Sequence, residues 1–262
     1  MSIVACVKVY DGLVLGAESM TQLWGQPTPG ASGFVKAFSN ARKLFKLSER
    51  FGVLAYGIGN LGHRSVESYI EEFSSESRLT LNCKDLANAL LLFMRTPYDA
   101  VFGPLQLADR PVMGFYVAGY GPGEHLGTEW EFVLPQDTAA RPARPENQFG
   151  ASWRGISVPF SRLHLGLDPR LLHTLQSAGI DPTIITRIAA AAKQLESPVI
   201  FDGMPLQDAI GFCKFILETT INVCTYEVGV PTCGGPLHIG IITRTDGFRW
   251  IARPEYSLNG EK

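Results

Sequence analysis

Ser2-Ile-Val-Ala-Cys-Val-Lys-Val-Tyr-Asp11-Gly12-Leu-Val-Leu-Gly-Ala17-Glu18 is the stretch that decides the fold. Its first half is β-branched and apolar at Ile3, Val4, Val7 and Val9. Asp11-Gly12 is a strong hairpin signal, because a two-residue primed turn needs residues that tolerate positive φ. Leu13 to Ala17 then runs almost unbroken in apolar residues, as a strand buried on both faces does. Two strands therefore meet within the first residues, where chains commonly fray. This predicts an N-terminus held in place inside a sheet.

Working outward, the Gly- and Pro-rich stretch Thr21 to Gly33 reads as a loop. A second hairpin follows, Arg42 to Leu47 returning through Gly52 to Tyr56, with Gly57, Gly59 and Gly62 behind it. Val66, Tyr69, Ile70 and Phe73 repeat at helical spacing and predict a helix over His63 to Phe73. Asp85 to Met94 predicts another, ended by Pro97. Strands are expected at Val112 to Ala118, Glu129 to Leu134 and, briefly, Gly150 to Ile156, with Gln136 to Asn147 as a loop. Pro169 to Ser197 reads as helical and is interrupted at Gly179 to Pro182, where Asp181 can cap and Pro182 can open the second half. Leu206 to Cys224 is the last helix, and Leu237 to Thr243 with Phe248 to Ala252 forms a closing hairpin around Asp246-Gly247.

Blocks of strands alternate with blocks of helices, which predicts an α+β fold with antiparallel sheets rather than a doubly wound parallel sheet. Two sheets packed on each other, each covered by a helix pair, would bury all of these faces. No internal repeat or linker divides residues 1–262, so one domain is expected.

The composition narrows the function. The chain has 45% hydrophobic and 18% charged residues and a formal charge of -2. It has no basic excess or stripe of the kind a nucleic-acid partner would need. No apolar run approaches the roughly 20 residues of a membrane span, and no leader pattern opens the chain. Cys6, Cys83, Cys213, Cys224 and Cys233 are odd in number and widely spaced, which predicts a reducing, cytoplasmic setting. His63, His125, His164, His173 and His238 show no metal-ligand spacing. Gly57-Ile-Gly59-Asn-Leu-Gly62 has the spacing of a dinucleotide fingerprint, but its hairpin setting does not suit a βαβ unit. No cofactor and no metal are expected.

Three segments together resemble proteasome β-type subunits and the related HslV peptidases of the N-terminal nucleophile (Ntn) hydrolase superfamily. The first is the opening stretch Ser2 to Glu18. The second is Arg42-Lys43-Leu-Phe-Lys-Leu followed by Gly52-Val-Leu-Ala-Tyr-Gly57. The third is Cys233-Gly234-Gly235-Pro-Leu-His-Ile-Gly-Ile-Ile-Thr-Arg-Thr-Asp-Gly247. The resemblance implies a four-layer αββα sandwich and a homo-oligomeric ring. It also implies peptide-bond hydrolysis in peptide or protein substrates, with an ATPase partner left open. By the same resemblance the nucleophile is Ser2 once Met1 is removed, the acidic residue is Glu18, the lysine Lys43 and the oxyanion glycine Gly57. The chain departs from the family pattern in several places. Serine replaces the usual threonine, Met20 stands where arginine is common, and the Thr21 to Asn40 loop is long. Ser152 and Ser157 flank the place of an expected serine, and Glu227 is the acid nearest to an expected aspartate before Cys233.

The chemistry follows from the residue types. A serine hydroxyl needs a base, and a free α-amine with a pKa near about 7.7–8.0 can serve. A lysine beside it lowers the pKa of amine and hydroxyl alike. Cys233 beside Gly234-Gly235 is a weaker alternative nucleophile that also suits a small buried slot. Two other readings stay open: a non-catalytic ring scaffold of the same fold, and a narrow-specificity amidase or transpeptidase.

Overall fold

The computed structural model describes residues 2–24, 33–75 and 82–253. The opening hairpin forms as the sequence predicts, with β1 (Ile3–Val9) and β2 (Gly12–Ala17) paired, but the turn is Tyr10-Asp11, and Gly12 already lies in β2 opposite Val9. Both strands are buried along their whole length. After Glu18 the chain forms β3 (Thr21–Trp24) and β4 (Phe34–Phe38), a separate two-stranded sheet. The expected loop is thus a strand in its first four residues, and residues 25–32 of it lie outside the described residues. Next come β5 (Leu44–Lys46), β6 (Phe51–Gly57) and the two-residue β7 (Asn60–Leu61) and β8 (Arg64–Ser65). Helices α1 (Val66–Ser75) and α2 (Cys83–Phe102) follow.

Pro97 does not end α2, contrary to the sequence expectation; the helix runs on to Phe102. An interior proline costs about 3 kcal/mol, but the buried stripe Leu86, Leu90, Met94 continues one turn further to Tyr98. The Tyr98 hydroxyl donates to the Pro111 carbonyl at 2.7 Å, so tertiary packing of that last turn outweighs the local preference.

Strands β9 (Met113–Gly119), β10 (Thr128–Leu134), β11 (Arg141–Pro142) and β12 (Gly150–Gly155) come next. An unexpected helix α3 (Val158–Leu165) precedes α4 (Leu171–Ser177) and α5 (Pro182–Ala192). Asp181 caps α5 as expected, accepting from the Thr183 N–H at 2.7 Å. The chain ends in α6 (Leu206–Tyr226) and the hairpin β13 (His238–Thr243) and β14 (Gly247–Ala252).

The result is an α+β fold with two five-stranded antiparallel sheets, β12-β1-β2-β13-β14 and β11-β10-β9-β6-β5. One apolar cluster joins the two sheets through Val4, Leu13, Leu15, Leu54, Tyr116 and Ile242. A second lies where α1 and α2 pack on the β6-β9 sheet, and a third where α3 and α6 pack on the β1-β2 sheet. Residues on β1 alternate between the clusters: Val4 and Cys6 face the other sheet, while Ile3, Ala5 and Val7 face α6.

A buried polar seam closes one side between the sheets. Glu131 on β10 accepts from Arg154 on β12 at 2.7 Å and pairs with Arg141 on β11 at 3.2 Å. Glu129 accepts from the Tyr116 hydroxyl at 2.7 Å and from Arg144 at 3.2 Å, and Arg144 also donates to the Ser152 hydroxyl at 2.8 Å. Buried charges survive only when paired in this way. The seam fixes edge strand β12 against the second sheet, and β12 in turn holds the start of β1.

On the opposite face of β1-β2, α6 approaches so closely that Gly16 has no room for a side chain. A Cβ there would lie 2.6 Å from Cys213 Sγ and 2.9 Å from a Leu217 methyl. Gly16→Ala is therefore expected to destabilise the protein by about 1–3 kcal/mol through overpacking, seen as a lower urea midpoint at unchanged slope. An unchanged midpoint would refute this packing of α6.

Candidate active site

The site is built where the ends of several strands meet. Ser2 stands one residue before β1, and Glu18 one residue after β2. Antiparallel pairing brings these two ends together: Val4 lies opposite Ala17, and the Glu18 N–H donates to the Ile3 carbonyl at 3.3 Å. On the other side of β1, Ile3 lies opposite Gly155, and the Ile156 N–H donates to the Ser2 carbonyl at 2.7 Å. Ser2 is thus pinned from both flanks and is only 2% exposed.

Lys43 enters from the second sheet, immediately before β5, with its carbonyl accepting from the Ala55 N–H at 2.8 Å. Its ammonium pairs with Glu18 Oε1 and donates to the Met20 carbonyl. Glu18, 0% exposed, is satisfied at its other oxygen too, which accepts from the N–H of Met20 at 2.8 Å and of Gly234 at 3.0 Å. Burial lowers the pKa of Lys43, and the Glu18 carboxylate opposes that shift. The pair is therefore a buried ammonium held in one place by one carboxylate and one carbonyl.

Ser2, Lys43 and Gly57 all line one cavity of about 410 Å³, to which Thr21, Gln22 and Leu23 of β3 and the first turn of α1 also contribute. Gly57 has φ +95°, and a Cβ there would run into the Val112 carbonyl, so only glycine fits. Glu18 stands behind Lys43, outside the cavity lining. The four residues singled out by sequence thus fall together, three at the cavity and one supporting them.

The structure also places residues that the sequence reading passed over. Met20 contributes its backbone carbonyl to Lys43, so its side-chain type is not what the ammonium senses. Gly234 supplies a backbone N–H to Glu18 and a carbonyl to the N–H groups of Ser19 and Met20, at 3.1 and 2.9 Å. The Gly234-Gly235 pair was the signal for such a close backbone approach. The Ser19 hydroxyl donates to the carbonyls of Ser39 and Pro236, tying the same turns together.

Other residues do not join the site. Ser152 sits opposite Cys6, four residues along β1, and its hydroxyl is taken by Arg144. Ser157 begins α3 close to Ser2, with no side-chain hydrogen bond at that cap. Glu227 is exposed at the end of α6. Burial and a hydrogen bond with Cys224 raise the Cys233 thiol pKa far above its ordinary value, the opposite of an activated nucleophile. Among the described residues no group of three or more His, Cys, Asp or Glu side chains is placed to hold a metal ion, and no helix is long and apolar enough to cross a membrane.

No protein-family model matches this chain, and no curated protein matches it.

Two outcomes follow from these electrostatics. Glu18→Ala leaves Lys43 buried without its acid and the Gly234 N–H without its acceptor, while the Met20 N–H keeps the Gly234 carbonyl. It should destabilise the protein by about 3–5 kcal/mol, measured by urea unfolding at neutral pH; a loss below 1 kcal/mol would show that the pair is not buried as described. His238, 2% exposed and with Nδ1 unpartnered, has its pKa pulled down to about 4 by burial and by Arg42, Lys43 and Arg253. Its folded-state pKa lies below the unfolded value of about 6.5. The unfolded chain therefore gains a proton first, and stability falls as pH drops from about 6.5 to 4. Unfolding free energies of His238→Asn across that window should show a shallower slope; an equal slope would assign the effect elsewhere.

Proposed function

We propose that this chain is a proteasome-like N-terminal nucleophile hydrolase that cleaves peptide bonds through an acyl-enzyme on Ser2 after loss of Met1. The observation that carries the reading is the convergence of Ser2, Lys43 and Gly57 on one cavity, with Lys43 anchored by the buried carboxylate of Glu18. Two facing antiparallel sheets, each with helices packed on its other side, support the four-layer αββα arrangement of that superfamily. In this reading residues 1–262 form one domain, which works in the cytoplasm as a closed homo-oligomeric ring.

The steps follow from the residues present. The free α-amine of Ser2 takes the hydroxyl proton as Oγ attacks the substrate carbonyl. The nearby Lys43 charge favours the neutral amine and the developing alkoxide. The Gly57 N–H donates to the oxyanion, a contribution of about 2.7–4 kcal/mol in comparable sites. The protonated amine then gives its proton to the leaving amine, and water, activated by the same amine, releases the acyl group. The Ile156 N–H on the Ser2 carbonyl, and the Glu18 N–H on the carbonyl of the next residue Ile3, hold the nucleophile in register, so that little orientation is lost on attack.

One observation favours the scaffold alternative. Glu227, exposed at the end of α6, does not supply the further acid that the resemblance implies near the nucleophile.

The test combines mass and labelling. Intact mass should show a chain one methionine short. A peptidyl epoxyketone, whose two electrophilic carbons need a hydroxyl and a free α-amine, should add once to Ser2. Ser2→Ala should abolish labelling and lower peptide hydrolysis by at least about a thousand-fold. Equal turnover by the Ser2→Ala protein would end this reading, and a stable ring with retained Met1 would favour the scaffold.

A further inference from the structure

We infer, building on the nucleophile assigned above, that the cavity beside Ser2 selects a basic side chain, lysine or arginine, on the residue whose carbonyl is attacked, and that Glu67 is the selecting group.

The walls set the length of that side chain. Next to Lys43 the cavity is lined by small residues, Ala41, Ala55, Gly57 and Gly59. Tyr56 and Ile58 share that wall, and the space of about 410 Å³ also reaches the first turn of α1, where Val66 and Glu67 lie, with Arg42 in the wall as well. A long side chain fits such a depth better than a short one.

The charges set its sign. Lys43 is committed to Glu18. Arg42 lies between two carboxylates of α1, Glu67 at 3.1 Å and Glu71 at 3.5 Å. Only Glu67 of these acids lines the cavity; Glu71 lines a separate, smaller one of about 170 Å³. Among the described residues Glu67 has a single cation within ion-pair distance, whereas Arg42 has two acids. A substrate cation can therefore pair with Glu67 while Arg42 stays on Glu71, and every charge keeps a partner. A substrate carboxylate would draw Arg42 away and strand Glu67, whose side chain is only 26% exposed. An apolar side chain leaves the existing pair intact and gains nothing from it. Consistent with an under-served carboxylate, burial raises the pKa of Glu67; Arg42 opposes that shift and Glu71 adds to it.

The experiment is a fluorogenic peptide series that is identical except for Lys, Arg, Leu or Glu before the scissile bond. Lys and Arg should exceed Leu in kcat/KM by at least about ten-fold, with Glu lowest. Glu67→Gln should lower the Lys-to-Leu ratio by about ten-fold or more. Glu71→Gln, outside the cavity, should lower it too, because Arg42 then remains on Glu67. If turnover is too slow to read, labelling rates of the matching Lys and Leu epoxyketones give the same ratio. A wild-type preference for Leu or Glu, or a ratio unmoved by Glu67→Gln, overturns the basic specificity and leaves the nucleophile standing. Absence of both cleavage and Ser2 labelling removes the nucleophile, and the specificity with it.

Discussion

The ion pair between Lys43 and Glu18 is the constraint on which the rest of the site depends. Glu18 hangs from the end of β2 in one sheet, and Lys43 precedes β5 in the other, so their contact ties the two sheets together at the mouth between them. A buried ammonium is tolerated only with a close partner, which sets how far apart the sheet edges can stand. The turns around Met20 and Gly234 then follow, because each must bring a backbone group to the same two side chains. Ser2 inherits its position from this arrangement through its neighbours on either side.

The seam of Glu129, Glu131, Arg141, Arg144 and Arg154 performs a related task at the β12 edge. There Glu131 sits between Arg141 of β11 and Arg154 of β12, and Glu129 pairs with Arg144 from the segment between those strands. Apolar contacts alone are indifferent to small sliding movements of one sheet over another, whereas paired buried charges have one low-energy register. The two polar clusters therefore define the relative placement of the sheets, while the three apolar clusters supply the bulk of the burial.

Much of this was legible in the chain itself. The Asp11-Gly12 signal and the apolar runs beside it placed the opening hairpin within one residue of its Tyr10-Asp11 turn, because turn chemistry and strand burial are local signals. Glu18 was likewise visible, as a carboxylate closing a buried strand that needs a partner, whereas Lys43, in a stretch that mixes charged and apolar residues, was singled out by the resemblance. What stayed hidden depends on non-local contact. Strand β3 exists because β4 pairs with it across residues the sequence marks as loop. Pro97 is carried inside α2 by the burial of Tyr98, which no local propensity reports. Helix α3 is short, and its packing on α6 through Phe160 supplies what its own sequence does not. The roles of Met20 and Gly234 belong to their backbone atoms, and residue identity says little about these.

The order of strands in the first sheet has a consequence for how the molecule comes into being. Strand β1 lies between β2, its immediate neighbour in sequence, and β12, which begins at Gly150; β2 in turn pairs with β13, which begins at His238. The N–H that Glu18 accepts from Gly234 arrives from 216 residues further along. A chain emerging from the ribosome can close its first hairpin at once, yet it cannot complete the surroundings of Glu18 until Gly234 has been made. Such long-range pairing slows folding, and here it also orders events in time: a product cut short before Gly234 carries Ser2 and Glu18 without the backbone N–H that completes the Glu18 site.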